Sequence, residues 1–305
     1  MALKFTRFWK YRYLTLMLLP AALVLFLNNY LPMFGVFIAF KDINFVDGFL
    51  SSPWVGFEKF KFLFQSDVLW RITRNTMLYS LAFMAVNLTL SVLIAVAVNE
   101  VKGRIFPKLY QSFFILPNFL SIVVISYLVY AFLNQGQGFI NASVLPWLGM
   151  EPIDWYTEPE YWPFILILVN AWKSVGIGAV IYIAAIAGID SEYYEAAVID
   201  GASKWDQIRS ITLPTIKPVI IIITILQMGS IFNAEFGLFY LVPFNSGSLY
   251  ATTDVVDTYV YRALITLNDI GMSSAAALVQ SVVGFILVFL TNYTVRRINP
   301  ENALF

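Results

Sequence analysis

Few side chains of this sequence can act chemically on another molecule, because it contains no cysteine and no histidine. Their absence excludes disulfides, thiol catalysis, histidine-bound metals and Ser-His-Asp triads. Six residues inside apolar segments are candidates for hydrogen bonds, ion pairs or ring stacking with another molecule: Asn170, Trp172, Lys173, Gln227, Asn233 and Glu235. We therefore expect no catalytic residue, no metal site and no cofactor bound by this chain.

Lys173 is a charged residue within an apolar run, so it requires a polar or oppositely charged partner. It lies about ten residues inside an apolar run, which at ~1.5 Å per residue is near the middle of a membrane-spanning helix. A charge at that depth is costly and turns toward a cavity or a carboxylate. Two interpretations stay open: contact with a ligand, or a structural pair with an acid of this chain or of a partner. Asn170 and Trp172 flank Lys173, and packing alone also explains a single tryptophan in a span.

Gln227, Asn233 and Glu235 share a second apolar run, but they do not fall on one face of a helix. They could line a path through the membrane, or they could hold helices together by hydrogen bonds. Both interpretations stay open, and either one requires membrane-spanning elements to position these residues.

The composition supports such elements, since 59% of the 305 residues are hydrophobic and 12% are charged. Soluble proteins average about 25% charged residues. The net charge of zero argues against a nucleic-acid partner. Because roughly 20 apolar residues cross a bilayer core as a helix, we predict an all-α integral membrane protein with six spans. They are 14–40, 76–98, 109–133, 162–187, 215–241 and 273–295. The first is expected to be an uncleaved span rather than a signal peptide.

The positions of lysine and arginine predict that both termini are cytoplasmic. In that orientation the cytoplasmic segments carry twelve bases and the outer segments carry six. The segment 134–161 has four acids and no base, which fits the outer side. The segment 66–77 is predicted to form a short interfacial helix before the second span.

One polar stretch, "EAAVIDGASKWDQIRSITLP" at 195–214, interrupts the apolar pattern between the fourth and fifth spans. Asp190 or Ser191 can cap a short helix at its start. Gly201 suits the end of that helix, where a left-handed residue costs glycine least. In the predicted orientation this stretch lies on the cytoplasmic face.

A second short helix is predicted after Gly201. Ser203 and Asp206 have the spacing of a capping box, and Pro214 is expected to end the helix before the fifth span. The alternative is an amphipathic helix lying on the bilayer, but such helices usually carry large apolar residues and several lysines. This stretch is instead acidic and rich in alanine and glycine.

The stretch resembles the signature loop of permease subunits in binding-protein-dependent ABC importers. The residues that match are Glu195, Ala196, Ala197, Gly201, Ile211, Leu213 and Pro214. The resemblance implies a type I ABC importer permease fold, in which this loop forms a coupling helix that docks on a cytoplasmic ATPase. It implies a docking role for these residues and Asp200, with Glu195 as the polar contact and Gly201 as the turn.

Further motifs are similar to a sugar-permease group that includes the lipoprotein/polysaccharide-transport permeases of Gram-positive bacteria and the permeases of the alginate importer. They are "LPMFGVFIAFKD", "SPWVGFEKF", "RNTMLYS" and "DVVDTYVYR". The resemblance implies import of an oligosaccharide or polysaccharide fragment across the bacterial cytoplasmic membrane. It also implies an unlike partner permease, two copies of an ATPase that bind ATP and Mg²⁺, and an extracytoplasmic solute-binding protein.

Two other functions are alternatives to ABC import. An ion-gradient-driven secondary sugar transporter predicts intramembrane acids or inverted repeats; Glu235 is the one candidate acid, and no repeat is seen. A membrane scaffold or receptor would not need a coupling loop. Under the importer hypothesis, Lys173 could contact an acidic sugar or a hydroxyl.

The chain is expected to divide into 1–75 (N-terminus, first span and outer loop), 76–297 (permease core, with coupling loop 190–214) and 298–305 (tail).

Overall fold

The computed structural model describes residues 11–44, 46, 48–101, 103 and 105–298. Its α-helices are joined by short π and 3₁₀ segments. The helices are α1 (Arg12–Leu25), α2 (Gly48–Ser51), α3 (Glu58–Gln65), α4 (Asp67–Glu100), α5 (Phe106–Ile115), α6 (Ile122–Leu133), α7 (Leu145–Trp147), α8 (Trp162–Ala187), α9 (Ser191–Ile199), α10 (Lys204–Gln207), α11 (Leu213–Met228), α12 (Phe236–Leu241), α13 (Tyr250–Thr253), α14 (Val256–Ile265) and α15 (Ile270–Ile298). In the described part of the chain, the only β pairing is one isolated bridge. The all-α prediction is confirmed.

The described residues contain five helices long and apolar enough to cross a membrane, and six spans if one bent helix pair counts as a span. The predicted first, fourth and sixth spans each match such an element. The first runs through α1, a π turn at Phe26–Tyr30 and a 3₁₀ segment at Leu31–Phe40. Five of the bases used to predict the orientation lie outside the described residues; they are Lys4, Arg7, Lys10, Lys102 and Arg104.

The second span differs from its prediction in length. The structure has one helix of 34 residues, α4, which includes the segment predicted as a separate interfacial helix. That prediction is wrong because no residue in the segment breaks the helix, and the buried side chains Ile72, Asn75 and Thr76 hold it to the bundle.

The third and fifth predicted spans are both broken. α5, with its 3₁₀ extension Leu116–Phe119, meets α6 at an angle of 95°. Ser121 caps α6 by accepting a hydrogen bond from the Val123 N–H. α11 ends at Met228, and the chain is irregular until α12 begins at Phe236.

Pro214 does not end a helix, so that prediction is also wrong. The helix continues from Lys204 to Met228 through a π turn at Ile208–Thr212. Proline lacks an N–H, and its ring crowds the carbonyl four residues earlier. The wider π turn directly before Pro214 accommodates both effects.

α4 and α8 pack along each other and form the centre of the bundle. One buried cluster joins them to α6 and α12 through Tyr79, Ile125, Trp162 and Leu238. A second lies nearer the loop 190–214 and includes Tyr182 and Ile216. α5 crosses α8 at Gly176, where any Cβ would overlap the Phe114 carbonyl. This framework holds α8 against the irregular segment after α11.

Candidate functional site

Lys173 and Glu235, both predicted as candidates, meet in the structure. The Nζ of Lys173 lies 2.8 Å from Oε1 of Glu235. Lys173 is in the middle of α8, and Glu235 directly precedes α12. The carboxylate that was left open as a partner for Lys173 therefore comes from this chain. The lysine side chain is 18% exposed and the glutamate side chain 39%, so the pair borders open space rather than a sealed core.

The other two candidates on α8 have different surroundings. Asn170 is buried, and its side-chain oxygen accepts a hydrogen bond of 2.9 Å from Nδ2 of Asn87 on α4. Trp172 is 43% exposed. One amide therefore ties two spans together, while the tryptophan ring presents a free face.

The irregular segment after α11 is fixed by two polar side chains. Oδ2 of Asp257 accepts from the Ala234 N–H at 2.9 Å, and Nε2 of Gln280 donates to the Phe232 carbonyl at 2.6 Å. Irregular backbone is tolerated at membrane depth only where protein or a water-filled cavity surrounds it. Asp257 and Gln280 supply that surrounding from α14 and α15.

Gln227 and Asn233 are both exposed, and the structure does not join them to the Lys173 pair. Gln227 borders a cavity of about 180 Å³ that Asn87 also lines. The side-chain oxygen of Asn233 accepts from Gln280 at 3.4 Å.

Sequence reasoning missed Asn87, Asp257 and Gln280. Their partners are 83, 23 and 48 positions away, so no local pattern reveals the contacts. The one available signal was the polar type of each residue within or beside an apolar run.

The polar loop 190–214 folds as the sequence predicts as far as its second helix. Asp190 caps α9 by accepting from the Glu192 N–H, and Gly201 has a left-handed φ of 80°. Ser203 and Asp206 form the predicted capping box at α10. These contacts fix a helix, a turn and a second helix between α8 and α11.

The candidate coupling residues lie on the outside of this loop. Glu195, Ala196, Asp200, Gly201 and Pro214 are exposed, while Ala197, Ile211 and Leu213 are half-buried. Large apolar side chains accompany them: Ile199 is 86% exposed and Trp205 67%. Exposed apolar surface of this kind next to charged groups is typical of a protein-docking surface.

Two contacts hold the loop to the spans. The hydroxyls of Tyr194 and Thr212 lie 2.9 Å apart, which connects α9 to the π turn. Lys204 pairs with Glu100, at the end of α4, at 3.0 Å. The loop is therefore connected both to α4 and to the π turn that leads into α11.

Comparisons with known proteins agree with this architecture. The family described as "Binding-protein-dependent transport system inner membrane component" matches residues 87–300. Protein LplB of Bacillus subtilis (strain 168) is 34% identical, and the alignment covers 95% of this chain and 90% of that protein. The polygalacturonan/rhamnogalacturonan transport system permease protein YteP of the same organism is 33% identical, with 95% and 89% covered.

Two solved structures have the same fold. One chain belongs to a bacterial ABC transporter involved in the import of the acidic polysaccharide alginate. It is 33% identical, with a TM-score of 0.88 over 97% of this chain and 99% of that one. The other is from a bacterial alginate ABC transporter in complex with an alginate pentasaccharide-bound periplasmic protein. Its identity is 32% and its TM-score 0.86, with 96% and 97% covered.

Proposed function

Since the chain belongs to the family of inner membrane components of binding-protein-dependent transport systems, we propose that it carries a carbohydrate into the cell. As a permease it spans the membrane several times and is not itself the catalytic component. The cargo is an oligosaccharide or a polysaccharide fragment. Relatives whose names specify polygalacturonan, rhamnogalacturonan and alginate transport support this cargo class.

The observation that carries the mechanism is the exposed helix-turn-helix loop between α8 and α11. It presents Glu195, Ile199 and Trp205 without covering them. A second protein that packs there buries the apolar groups and pairs the carboxylate. In the proposed system this protein is an ATPase, which binds ATP and Mg²⁺; one copy docks on this chain and another on an unlike partner permease.

The loop transmits ATPase closure to the spans. Its second helix is continuous with α11, and Lys204 and Tyr194 tie the loop to the neighbouring elements. When two ATPases approach each other, the docked loops move with them and the spans change their tilt. Both termini and the loop lie on the cytoplasmic side of the bacterial membrane, and the solute-binding protein delivers cargo from the other side.

The translocation path passes the candidate residues of α8 and of the irregular segment after α11. A sugar needs hydrogen-bond partners and flat apolar faces, which Gln227, Asn233 and Trp172 offer. The partly exposed Lys173–Glu235 pair supports this location because an ion pair facing lipid would be costly.

The test is ATP-driven uptake by the purified system. The chain is reconstituted in vesicles with the partner permease, the ATPase and the binding protein, and saccharide uptake is measured with ATP inside. Charge-assisted hydrogen bonds contribute about 1.5–3 kcal/mol, so Glu195→Arg is expected to lower uptake and ATPase retention at least tenfold. Glu58→Arg reverses the charge of another exposed glutamate, on α3 outside the loop, and is expected to keep the ATPase bound.

Uptake without ATP would support the gradient-driven rival instead. Full uptake by Glu195→Arg would remove the loop from the coupling mechanism. A transporter that moves only non-carbohydrate cargo would overturn the substrate class while leaving the coupling intact.

A further inference from the structure

The Lys173–Glu235 pair differs from the buried ion pairs that hold this protein together. Asp254 belongs to an ion pair with a purely structural role. Its side chain is fully buried between Arg71 and Arg262, and the Thr258 hydroxyl also donates to it. In contrast, the side chains of Lys173 and Glu235 make one polar contact, with each other, among the described residues. Two of the three ammonium hydrogens and one carboxylate oxygen remain available.

The irregular segment after α11 does not depend on Glu235 for its shape. Asp257 and Gln280 hold its backbone at Ala234 and Phe232. Glu235 itself has extended backbone dihedrals just before α12, and its side chain is 39% exposed. The carboxylate can therefore leave Lys173 by side-chain rotation, without unfolding either helix.

Aromatic residues of the kind that bind sugar rings adjoin both members of the pair in sequence. Three aromatic rings follow Glu235 on α12 and α14: Phe236 lies 5.0 Å from Tyr240 and 4.8 Å from Tyr261, between ring centroids. Trp172 neighbours Lys173 in sequence, and its ring is partly exposed. Aromatic faces stack on pyranose rings through their apolar C–H groups.

From this arrangement we propose that Lys173 binds a carboxylate of the cargo, and that Glu235 pairs with Lys173 when no cargo is in the path. The inference rests on the proposed carbohydrate import and narrows the cargo to acidic oligosaccharides, those that contain uronic acid. A uronate carboxylate replaces Glu235 on the ammonium group, so the charge of Lys173 is compensated throughout. The displaced Glu235 carboxylate, on a side chain that is 39% exposed, turns into the water of the path, which hydrates its charge. An uncompensated lysine at this depth would be costly. A neutral sugar has no group that can make this exchange.

The exchange predicts opposite effects for the two halves of the pair. Lys173→Gln removes the group that binds the uronate, whereas Glu235→Gln removes the competing carboxylate. A merely structural pair would respond similarly to both changes.

The absence of cysteine allows a direct measurement. Ser174→Cys places one thiol of this chain next to Lys173 in sequence, in the cavity that Asn87 and Gln227 line. Its labelling rate is followed in the reconstituted complex, with cysteine-free partners and without binding protein. The probes are trigalacturonate and its neutral trimethyl ester. We expect trigalacturonate to protect the thiol at a concentration at least tenfold lower than the ester. Lys173→Gln abolishes this difference, and Glu235→Gln keeps or enlarges it. Lys59→Gln, which breaks the two ion pairs of Lys59 with Asp42 and Asp269 outside the spans, leaves the difference unchanged.

Equal protection by the two probes, or protection by neither, would overturn the exchange. So would matching losses in both variants that the Lys173→Gln/Glu235→Gln double variant restores. Saccharide uptake is measured separately. ATP-driven uptake with no preference for acidic saccharides would contradict only this proposal and would agree with the importer function. Uptake that does not depend on ATP would contradict the importer function itself.

Discussion

At the scale of single residues, Gly201 shows how a backbone angle can govern the proposed docking. Its φ of 80° is left-handed, and a Cβ built on it would meet no atom within 4 Å. Space around the residue is therefore no constraint, and the requirement for glycine is purely conformational. The left-handed conformation costs other L-residues roughly 1–2 kcal/mol, with asparagine less affected.

We therefore expect Gly201→Val to weaken binding of the ATPase about tenfold and Gly201→Asn to bind almost normally. The valine variant shifts the angle between α9 and α10, while asparagine keeps it. Titration of the ATPase onto the reconstituted permeases measures both. Equal binding by the valine variant and wild type would show that the turn geometry is not required.

At the scale of elements, the sequence predicts spans better than it predicts their interruptions. Apolar runs predict α8 to the residue, because a helix in lipid must satisfy every backbone group internally. The breaks at Ser121 and after Met228 lie inside similarly apolar runs, where Pro117 and Gly229 were the available local signals. Whether such residues break a helix depends on distant groups, such as Gln280, that satisfy the freed carbonyls.

The same limit applies to the candidate site. The demand of Lys173 for a carboxylate follows from its depth alone. The identity of that carboxylate, 62 positions away, follows only from the packing of α8 against α12. The sequence likewise indicates that Asn170 needs a hydrogen-bond partner, but it does not indicate that the partner is Asn87.

The break after α11 leads to a prediction about stability. Gln280→Leu removes the donor to the Phe232 carbonyl and leaves that group unsatisfied. A buried unsatisfied carbonyl costs about 1–3 kcal/mol, so we expect the variant complex to melt at a clearly lower temperature. Ser281→Ala is the matched control, since its hydroxyl bonds within its own helix to Ala277 and is exposed. The prediction is wrong if the two variants melt together in the same detergent.

At the scale of the whole molecule, the first span stands away from the bundle. Its 3₁₀ segment packs on α15, but only 6% of its 18 most apolar consecutive residues are buried. Lipid can cover the leucines, yet Asn28 and Asn29 lie near the middle of this 29-residue span. Within the described chain, their side-chain amides donate to the backbone carbonyls of Val24 and Leu25. In each amide, one N–H and the side-chain oxygen are left for another helix.

The proposed partner permease is the natural source of that helix, since lipid offers an amide no partner. Interhelical hydrogen bonds in membranes are worth about 0.6–2 kcal/mol each, so replacing both amides by Asn28→Leu and Asn29→Leu should weaken the permease pair about tenfold. Energy transfer between labelled permeases in nanodiscs measures this, and the Asn28→Gln/Asn29→Gln variant, which keeps both amides, should pair almost normally. The leucine variant makes the span more apolar, so it still inserts into the membrane. A loss of energy transfer then indicates weaker pairing of the two permeases. Unchanged pairing of the leucine variant would mean that these amides face something other than the second permease.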